Sequence, residues 1–436
     1  MRAPVRTTQR RSAQTSLCLA ALLSVLAFAQ AAAEPWRLLL DLDRTRNPAS
    51  AHAIEMGVRT ALAAAGNRLG GRAVEVVPLD NRGNVKRALL SLRAYLDDPN
   101  ALAVVGGIHS PPYLRYREMI NREGVLTLLP WSSAAPITRP EGPDNWIFRL
   151  SVDDDKMGER IVGHAVERSG CQQPALLLLK TGWGRSAEDN MGRALAARGL
   201  GAAPVFWFDD GIGAVAARLL ARDIASAGAD CVLLAASPLT GAALAKALDA
   251  TATNEGQTAS PIRIFAHWGI IAGPFTDHVG HGLRQRLGLR VLQTCALLTG
   301  ARRRAAVFEV LAHAKRLYPD TFAEPESLPA QAGFIHAHDL TRLLIAAAEQ
   351  SAIGQDGPAS DIHDTRRRLR AALQSLERPV EGLIRQYSQP FAPWQGPGGD
   401  RDAHEALGLA DLCMARFDAR GRLHAIPNTA LDVRVR

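Results

Sequence analysis

The sequence predicts an α/β protein built from two parallel-sheet units in series. Three observations predict it. Short apolar runs alternate with helical patterns, and the alternation occurs twice, before and after a break at 146–155. The runs are rich in Val, Leu and Ile along their whole length, as strands buried on both faces are. Roughly 400 residues remain once an N-terminal leader is set aside, more than a single hydrophobic core usually serves.

The first unit opens with a strand at 36–42, WRLLLDL. A helix at 51–65 follows, with its alanines and leucines on one face. Further strands are predicted at 73–79, 101–105 and 125–129. Helices at 85–96 and 113–122 lie between them, and Asp97-Asp98-Pro99 stops the first of these. The second unit alternates a helix at 155–169, strand 175–179, helix 187–198, strand 205–208, helix 214–227, strand 232–235, helix 241–249 and strand 262–266. An extended run at 287–294 and helices at 308–318, 332–349 and 366–376 come next. Segments 411–416 and 423–426 are predicted to form a hairpin turning at 418–421.

Residues 1–33 have the pattern of a cleaved signal peptide. Arg2, Arg6, Arg10 and Arg11 precede an apolar run at 16–29, and Ala31-Ala32-Ala33 offers small residues for cleavage before Glu34. The run is shorter than the roughly 20 residues of a spanning helix, and Cys18 lies too early to carry a lipid anchor. A periplasmic protein is therefore expected. Of the formal charge of +8, four positive charges sit on those leader arginines, which leaves about +4. That balance does not indicate a nucleic-acid partner. The clusters Arg302-Arg303-Arg304 and Arg366-Arg367-Arg368 are expected to be solvated helix faces.

The remaining cysteines are Cys171, Cys231, Cys295 and Cys413. None belongs to a C-x-x-C pair, so neither a zinc site nor a redox motif is indicated. Cys171 and Cys231 each precede a strand. If those strands are neighbours, a bridge between them is open in an oxidising compartment. Otherwise four buried thiols are expected.

In open α/β sheets a ligand lies beyond the carboxyl ends of the strands. The loops there are 41–47, 80–84, 106–111, 130–138, 180–186, 237–240 and 267–273. In Gly106-Gly107-Ile108-His109-Ser110, two glycines let the backbone approach a ligand. The Ser110 hydroxyl and the first helical amides suit a carboxylate, although serine is also a common helix cap. Trp131-Ser132-Ser133 again offers hydroxyls and amides. Trp183 stands between two glycines, Ser237 opens the 237–240 loop, and Trp268 follows His267. Tryptophans in three mouth loops suit a pocket that sandwiches an apolar or planar group.

Enzyme motifs are weak. Gly211-Ile212-Gly213 follows a strand, but no acid ends the next strand as a dinucleotide site would require. No P-loop lysine, G-x-S-x-G elbow or complete zinc-peptidase pair is present. The pairs His278/His281 and His336/His338 fit solvated side chains better than metal ligands. No nucleophile, base and orienting acid assemble from the mouth loops. Neither cofactor nor metal is expected.

The segments 57–65, Gly70-Gly71-Arg72, Leu79-Asp80, 104–110, 130–138, Phe148-Arg149 and 153–158 follow one another as in type I periplasmic binding proteins. The likeness continues through Trp183-Gly184, Gly228-Ala229-Asp230, 332–349, 376–381 and 417–423. The chain most resembles the branched-chain amino-acid and amide receptors of ABC transporters. That resemblance implies two Rossmann-like lobes joined by three crossover strands, one lobe of 34–150 with about 296–376, the other of 151–295 with about 377–436. It implies a monomer that closes on a small ligand and delivers it to an inner-membrane permease; a sensory protein of the same fold is the alternative. It places the ligand's carboxylate at Ser110 and further contacts at Ser132 and Ser133. The family's closing tyrosine falls on Trp183. Its first-lobe threonine falls on Ala134 and its ammonium-binding acid on Trp268; the acid usual near Lys180 is missing too. An ammonium without a counter-charge is costly to bury, which leaves Asp41, Asp43, Asp209 or Asp210 to supply one, or an aromatic or aliphatic carboxylate or an amide as ligand.

Overall fold

A computed structural model describes residues 34–254, 261–299, 305–354 and 361–426. The leader and the Arg302–Arg304 cluster lie outside these residues.

The first sheet grows outward from β1 (Trp36–Leu42), on which Leu38, Leu40 and Leu42 are completely buried. Each such leucine contributes about 1.5–3 kcal/mol by leaving water. Helix α1 (Pro48–Ala64) begins with its proline in the first turn, where the missing N–H costs nothing. The short β2 (Arg68–Leu69) turns back into β3 (Arg72–Asp80), followed by α2 (Val85–Asp97), capped by the Asn84 side chain. Then come β4 (Ala101–Gly106), α3 (Ser110–Glu123), β5 (Thr127–Leu129) and β6 (Ile147–Arg149). The strand order is β2-β3-β1-β4-β5-β6, parallel except for β2. The break expected at 146–155 contains β6. A three-residue strand carries no periodicity of its own, and only its pairing with β5 defines it.

The second lobe begins with α4 (Asp154–Gly163), whose expected extension to 169 is instead a π turn at His164–Arg168. It continues through β7 (Pro174–Leu179), α5 (Gly182–Ala196), β8 (Val205–Phe208), α6 (Ala214–Ser226), β9 (Cys231–Ala235), α7 (Pro238–Asn254) and β10 (Arg263–Ala266). The short α8 (Phe275–His278) and α9 (His281–Arg286) lead into β11 (Arg290–Thr294). The chain then returns to the first lobe as α10 (Ala305–Leu317), α11 (Gln331–Gln350) and α12 (Ile362–Gln374). Helix α11 packs closely on α1, where Gly57 lies under the Phe334 carbonyl and any Cβ would collide with it.

Strands β12 (Val380–Glu381) and β13 (Gln386–Tyr387) form a small antiparallel pair. The hairpin of β14 (Leu412–Phe417) and β15 (Leu423–Ala425) completes the second sheet, ordered β15-β14-β11-β10-β9-β7-β8. The residues that follow the boundary expected near 377 make contacts with the first lobe. Asp339 on α11 accepts from the Leu383 and Ile384 amides and from the Tyr387 hydroxyl, Phe391 packs on Phe148, and His404 bonds the Ile147 carbonyl. These contacts hold 380–405 on the first lobe.

Arg366 also departs from expectation, because it is buried rather than solvated. Its guanidinium donates to the Ala101, Tyr95 and Asp98 carbonyls and stacks on the Tyr95 ring at 3.8 Å. Carbonyls left over at the end of a helix supply enough acceptors to hold an arginine inside.

Three segments connect the lobes, and the third lies between the other two. The Arg149 amide donates to the His404 carbonyl at 3.0 Å, and the Ala406 amide donates to the Arg149 carbonyl at 3.0 Å. Side chains reinforce this pairing. Arg149 Nε reaches Glu405 Oε2 at 3.0 Å with both groups fully buried, and Arg149 Nη1 donates to the Ala134 carbonyl at 2.8 Å. Burial raises the Glu405 carboxyl, with the Arg149 charge opposing. For Asp153 burial also acts upward, but Arg149, Lys156 and Arg139 outweigh it and hold the carboxyl at about 2. On the other side the Cys295 amide donates to Asp411, and Cys295 is bonded to Cys413 of β14, with Cα atoms 4.9 Å apart. Cys171 and Cys231 form a second disulfide at the starts of β7 and β9, which are indeed neighbours.

Candidate ligand-binding cleft

The strand orders place a reversal of direction between β1 and β4 in the first sheet and between β7 and β9 in the second. Loops diverge at such points and leave a crevice. Ser110 and Asp43 flank the first crevice, and Trp183 and Ser237 flank the second.

On the first lobe, Ser110 opens α3 and is buried, its hydroxyl accepting from the Ala134 amide at 3.1 Å. Ser132 donates to the carbonyls of Gly107, at 2.8 Å, and His109, at 3.1 Å, tying the two loops together. The Ser133 carbonyl accepts from the Asp154 amide at 2.9 Å, which anchors this loop to the start of α4. Asp43 accepts from His109 Nε2 at 2.8 Å, Asn47 Nδ2 at 2.7 Å and the Arg46 amide at 2.9 Å. Burial acts to raise its carboxyl, but these donors prevail and the net displacement is downward.

On the second lobe, Trp183 stands in the first turn of α5, which is capped by Thr181. The indole lies over Gly269, where a Cβ would come within 2.8 Å of the ring. Ser237 donates to Asp210 at 2.6 Å and Thr240 to the same oxygen at 2.8 Å. Trp268 is buried and reaches across to the first lobe. It meets Trp131 edge-on at 6.5 Å between centroids and His336 of α11 at 5.5 Å. Burial holds the His336 imidazole down at about 4, so it is neutral near pH 7.

The lobes are closed on one another. Arg46 pairs with Asp210 at 2.9 Å, and Ser50 donates to the Ala272 carbonyl. Ser110, Trp131, Ser132 and Ser133 thus share one interior with Trp268, and Asp43, His109 and Ser237 stand toward the mouth near Arg46 and Asp210.

Of the acids proposed as a counter-charge, Asp41 lies inside the first lobe, its carboxylate bonded by Ser91 and Tyr113, and burial raises it. Asp43 and Asp210 are occupied as described, and Asp209 is exposed. The sequence reading missed a fifth, Asp154. It is buried, accepts from His267 Nε2 at 3.1 Å through one oxygen, and has no partner among the described residues for the other. Its place in the run Asp153-Asp154-Asp155 made it look like an ordinary helix start.

An open groove of about 1020 Å³ lies elsewhere between the lobes, lined by α3, α4 and α5 residues such as Arg117, Glu159, Arg185 and Arg193. It contains none of the expected ligand residues, and Arg139 and Arg193 at its edge are paired with Asp155. The residues expected at a ligand gather instead in the cleft at the strand ends. For a metal, Cys171, Asp230 and Cys231 have the right spacing among the described residues, but the two sulfurs are spent in the disulfide.

Two α/β lobes, three connections and a cleft of helix starts and hydroxyls define a two-lobed binding protein. The chain belongs to the periplasmic binding protein family, whose sequence pattern matches residues 44–268, and this is a family of binding proteins and not of enzymes. No curated protein matches the sequence. Among solved structures it is similar to a type 1 periplasmic binding protein of Bordetella pertussis, with a TM-score of 0.70 and 15% identity over 90% of this chain and 100% of that one. It is similar to a Rhodopseudomonas palustris ABC-transporter solute-binding protein in complex with p-hydroxybenzoic acid, with a TM-score of 0.70 and 14% identity over 91% and 96% of the two chains. A leucine-binding protein of Thermotoga maritima follows at a TM-score of 0.68 and 14% identity, over 90% and 98%. Among the described residues, no helix is long and apolar enough to cross a membrane.

Proposed function

We propose that this chain is the periplasmic receptor of an ABC importer, a monomer that captures a small carboxylate-bearing or amide solute between its lobes and delivers it to an inner-membrane permease. One observation carries the reading: Ser110 opens α3 inside the cleft, facing the 131–134 loop. Pro111 and Pro112 bring no N–H to this helix start, so the Ser110 hydroxyl is the donor there, and the positive end of the helix favours an anion as its acceptor. The p-hydroxybenzoic acid and leucine of the two structural neighbours both carry a carboxylate. Ser132 and Ser133 shape that end, Trp131, Trp183 and Trp268 wall the middle, and Asp43, His109 and Ser237 line the mouth.

A thermal-shift screen of amino acids, amides, and aromatic and dicarboxylic acids tests the proposal. A ligand at one hundred times its Kd should stabilise the protein by about 2.7 kcal/mol. Ser110→Ala should abolish most of that shift for carboxylates. A screen in which nothing stabilises the protein, or in which the best ligand has no carboxylate or amide, would count against it.

A further inference from the structure

The closed cleft contains a donor and an acceptor that nothing among the described residues satisfies. Asp154 accepts from His267 Nε2 at 3.1 Å, and both side chains are 1% exposed. In the neutral imidazole that bond assigns the ring hydrogen to Nε2 and leaves Nδ1 as a lone-pair acceptor. Nδ1 is buried and has no partner among the described residues. Trp183 meets the same imidazole edge-on at 4.9 Å, and its buried Nε1–H has no partner among the described residues either. The two rings stand on the loops after β7 and β10, which close over the first lobe. Three further side chains along this wall carry buried polar atoms without partners among the described residues. His336 Nε2 is on the ring against Trp268, and Gln293 and Thr294 end the strand beside the turn that holds Trp268.

We infer that His267 Nδ1 and Trp183 Nε1 form a second polar end of the ligand site, and that it takes an uncharged group able both to donate and to accept, a carboxamide or a hydroxyl. This rests on the reading of the cleft as a solute site. A carboxamide N–H or a hydroxyl donates to Nδ1, and its oxygen accepts from Nε1–H. An ammonium can donate to the unpartnered Asp154 oxygen, but it has no lone pair for the indole and leaves that donor unsatisfied. A second carboxylate has no hydrogen for Nδ1 and stands near the Asp154 charge. Asp154 is a positioning residue that selects the tautomer of His267.

Titration calorimetry on residues 34–436 tests this with two carboxylate series, benzoic and pentanoic acid. Each is used unsubstituted and with a far-end hydroxyl, carboxamide, aminomethyl or second carboxylate group, with leucine alongside. In at least one series, the hydroxyl or carboxamide member should bind at least tenfold more tightly than its unsubstituted and ammonium counterparts. Trp183→Phe, which keeps the ring and removes the N–H, should reduce that ratio to within threefold of unity, and His267→Phe should do the same. Absence of that preference from both series, or an undiminished ratio in Trp183→Phe, would overturn the inference while leaving a carboxylate receptor. No binding by any compound, leucine included, would overturn the receptor reading and this inference with it.

Discussion

Arg46 of the first lobe and Asp210 of the second meet at 2.9 Å across the mouth of the cleft. Asp210 is held for this contact by Ser237 and Thr240, and Arg46 follows the Asp43 carboxylate that its own amide helps to fix. Both charged groups are about half exposed, so the pair is worth about 0.2–1 kcal/mol. It forms only when the lobes close. Arg46→Ala should therefore weaken ligand affinity about two- to fivefold and quicken release, with the unliganded melting temperature unchanged. Calorimetry and stopped-flow release rates check this, and the exchange Arg46→Asp with Asp210→Arg should restore affinity.

Ser110→Ala should act on ligand and fold by different amounts. Charge-assisted bonds contribute about 1.5–3 kcal/mol, so carboxylate affinity should fall tenfold or more. Its other bond, from the Ala134 amide, is neutral, and its loss should lower stability by about 1 kcal/mol. Denaturant melts alongside calorimetry separate the two.

The hinge pair Arg149–Glu405 is buried, and breaking it should be far costlier than removing it. Glu405→Ala leaves an arginine without its counter-charge and should cost about 3–5 kcal/mol. The double variant Arg149→Met with Glu405→Leu should recover much of that loss. Equal destabilisation of the single and double variants would mean that shape, not charge, decides the hinge.

Burial holds His336 and His164 down at about 4 and His404 at about 3. An imidazole in the unfolded chain takes up its proton near 6.5. Between those values the unfolded state binds more protons, so stability falls as pH drops from about 6.5 to about 4 for His336 and His164, and to about 3 for His404, and then levels for these groups. The slope is at most about 1.4 kcal/mol per pH unit for each histidine. Asp153, held at about 2, adds its loss only below the ordinary carboxylate range. Urea melts at pH 7 and pH 5 should show the drop, and His404→Phe should reduce it.

The Cys295–Cys413 bridge ties the second connection to the third, across 118 residues of chain. Replacing both cysteines with alanine should cost about 2–4 kcal/mol. It should also broaden the range of lobe angles seen by small-angle scattering of the unliganded protein. The Cys171–Cys231 pair lies within one lobe, so its loss should lower stability without changing that range.

The sequence by itself determined the two parallel sheets, because strands buried on both faces must be largely apolar, as Trp36–Leu42 is with five of seven residues and Pro174–Leu179 and Cys231–Ala235 are throughout. It also located the mouth loops, since they fall at strand ends whatever the packing, and so Ser110, Trp131, Trp183 and Trp268 were legible as candidates. Tertiary structure decided what no local pattern encodes. Strand β6 and the placement of 380–405 on the first lobe depend on distant partners. Arg366 is inside because carbonyls of Tyr95, Asp98 and Ala101 converge on it, not because of its neighbours in the chain. Likewise the Asp154–His267 pair spans 113 residues, and each member alone looks like a helix start or a loop residue. Composition and periodicity report which residues leave water; which polar groups then meet there, and which remain to be met by a ligand, is set by the packing of the lobes.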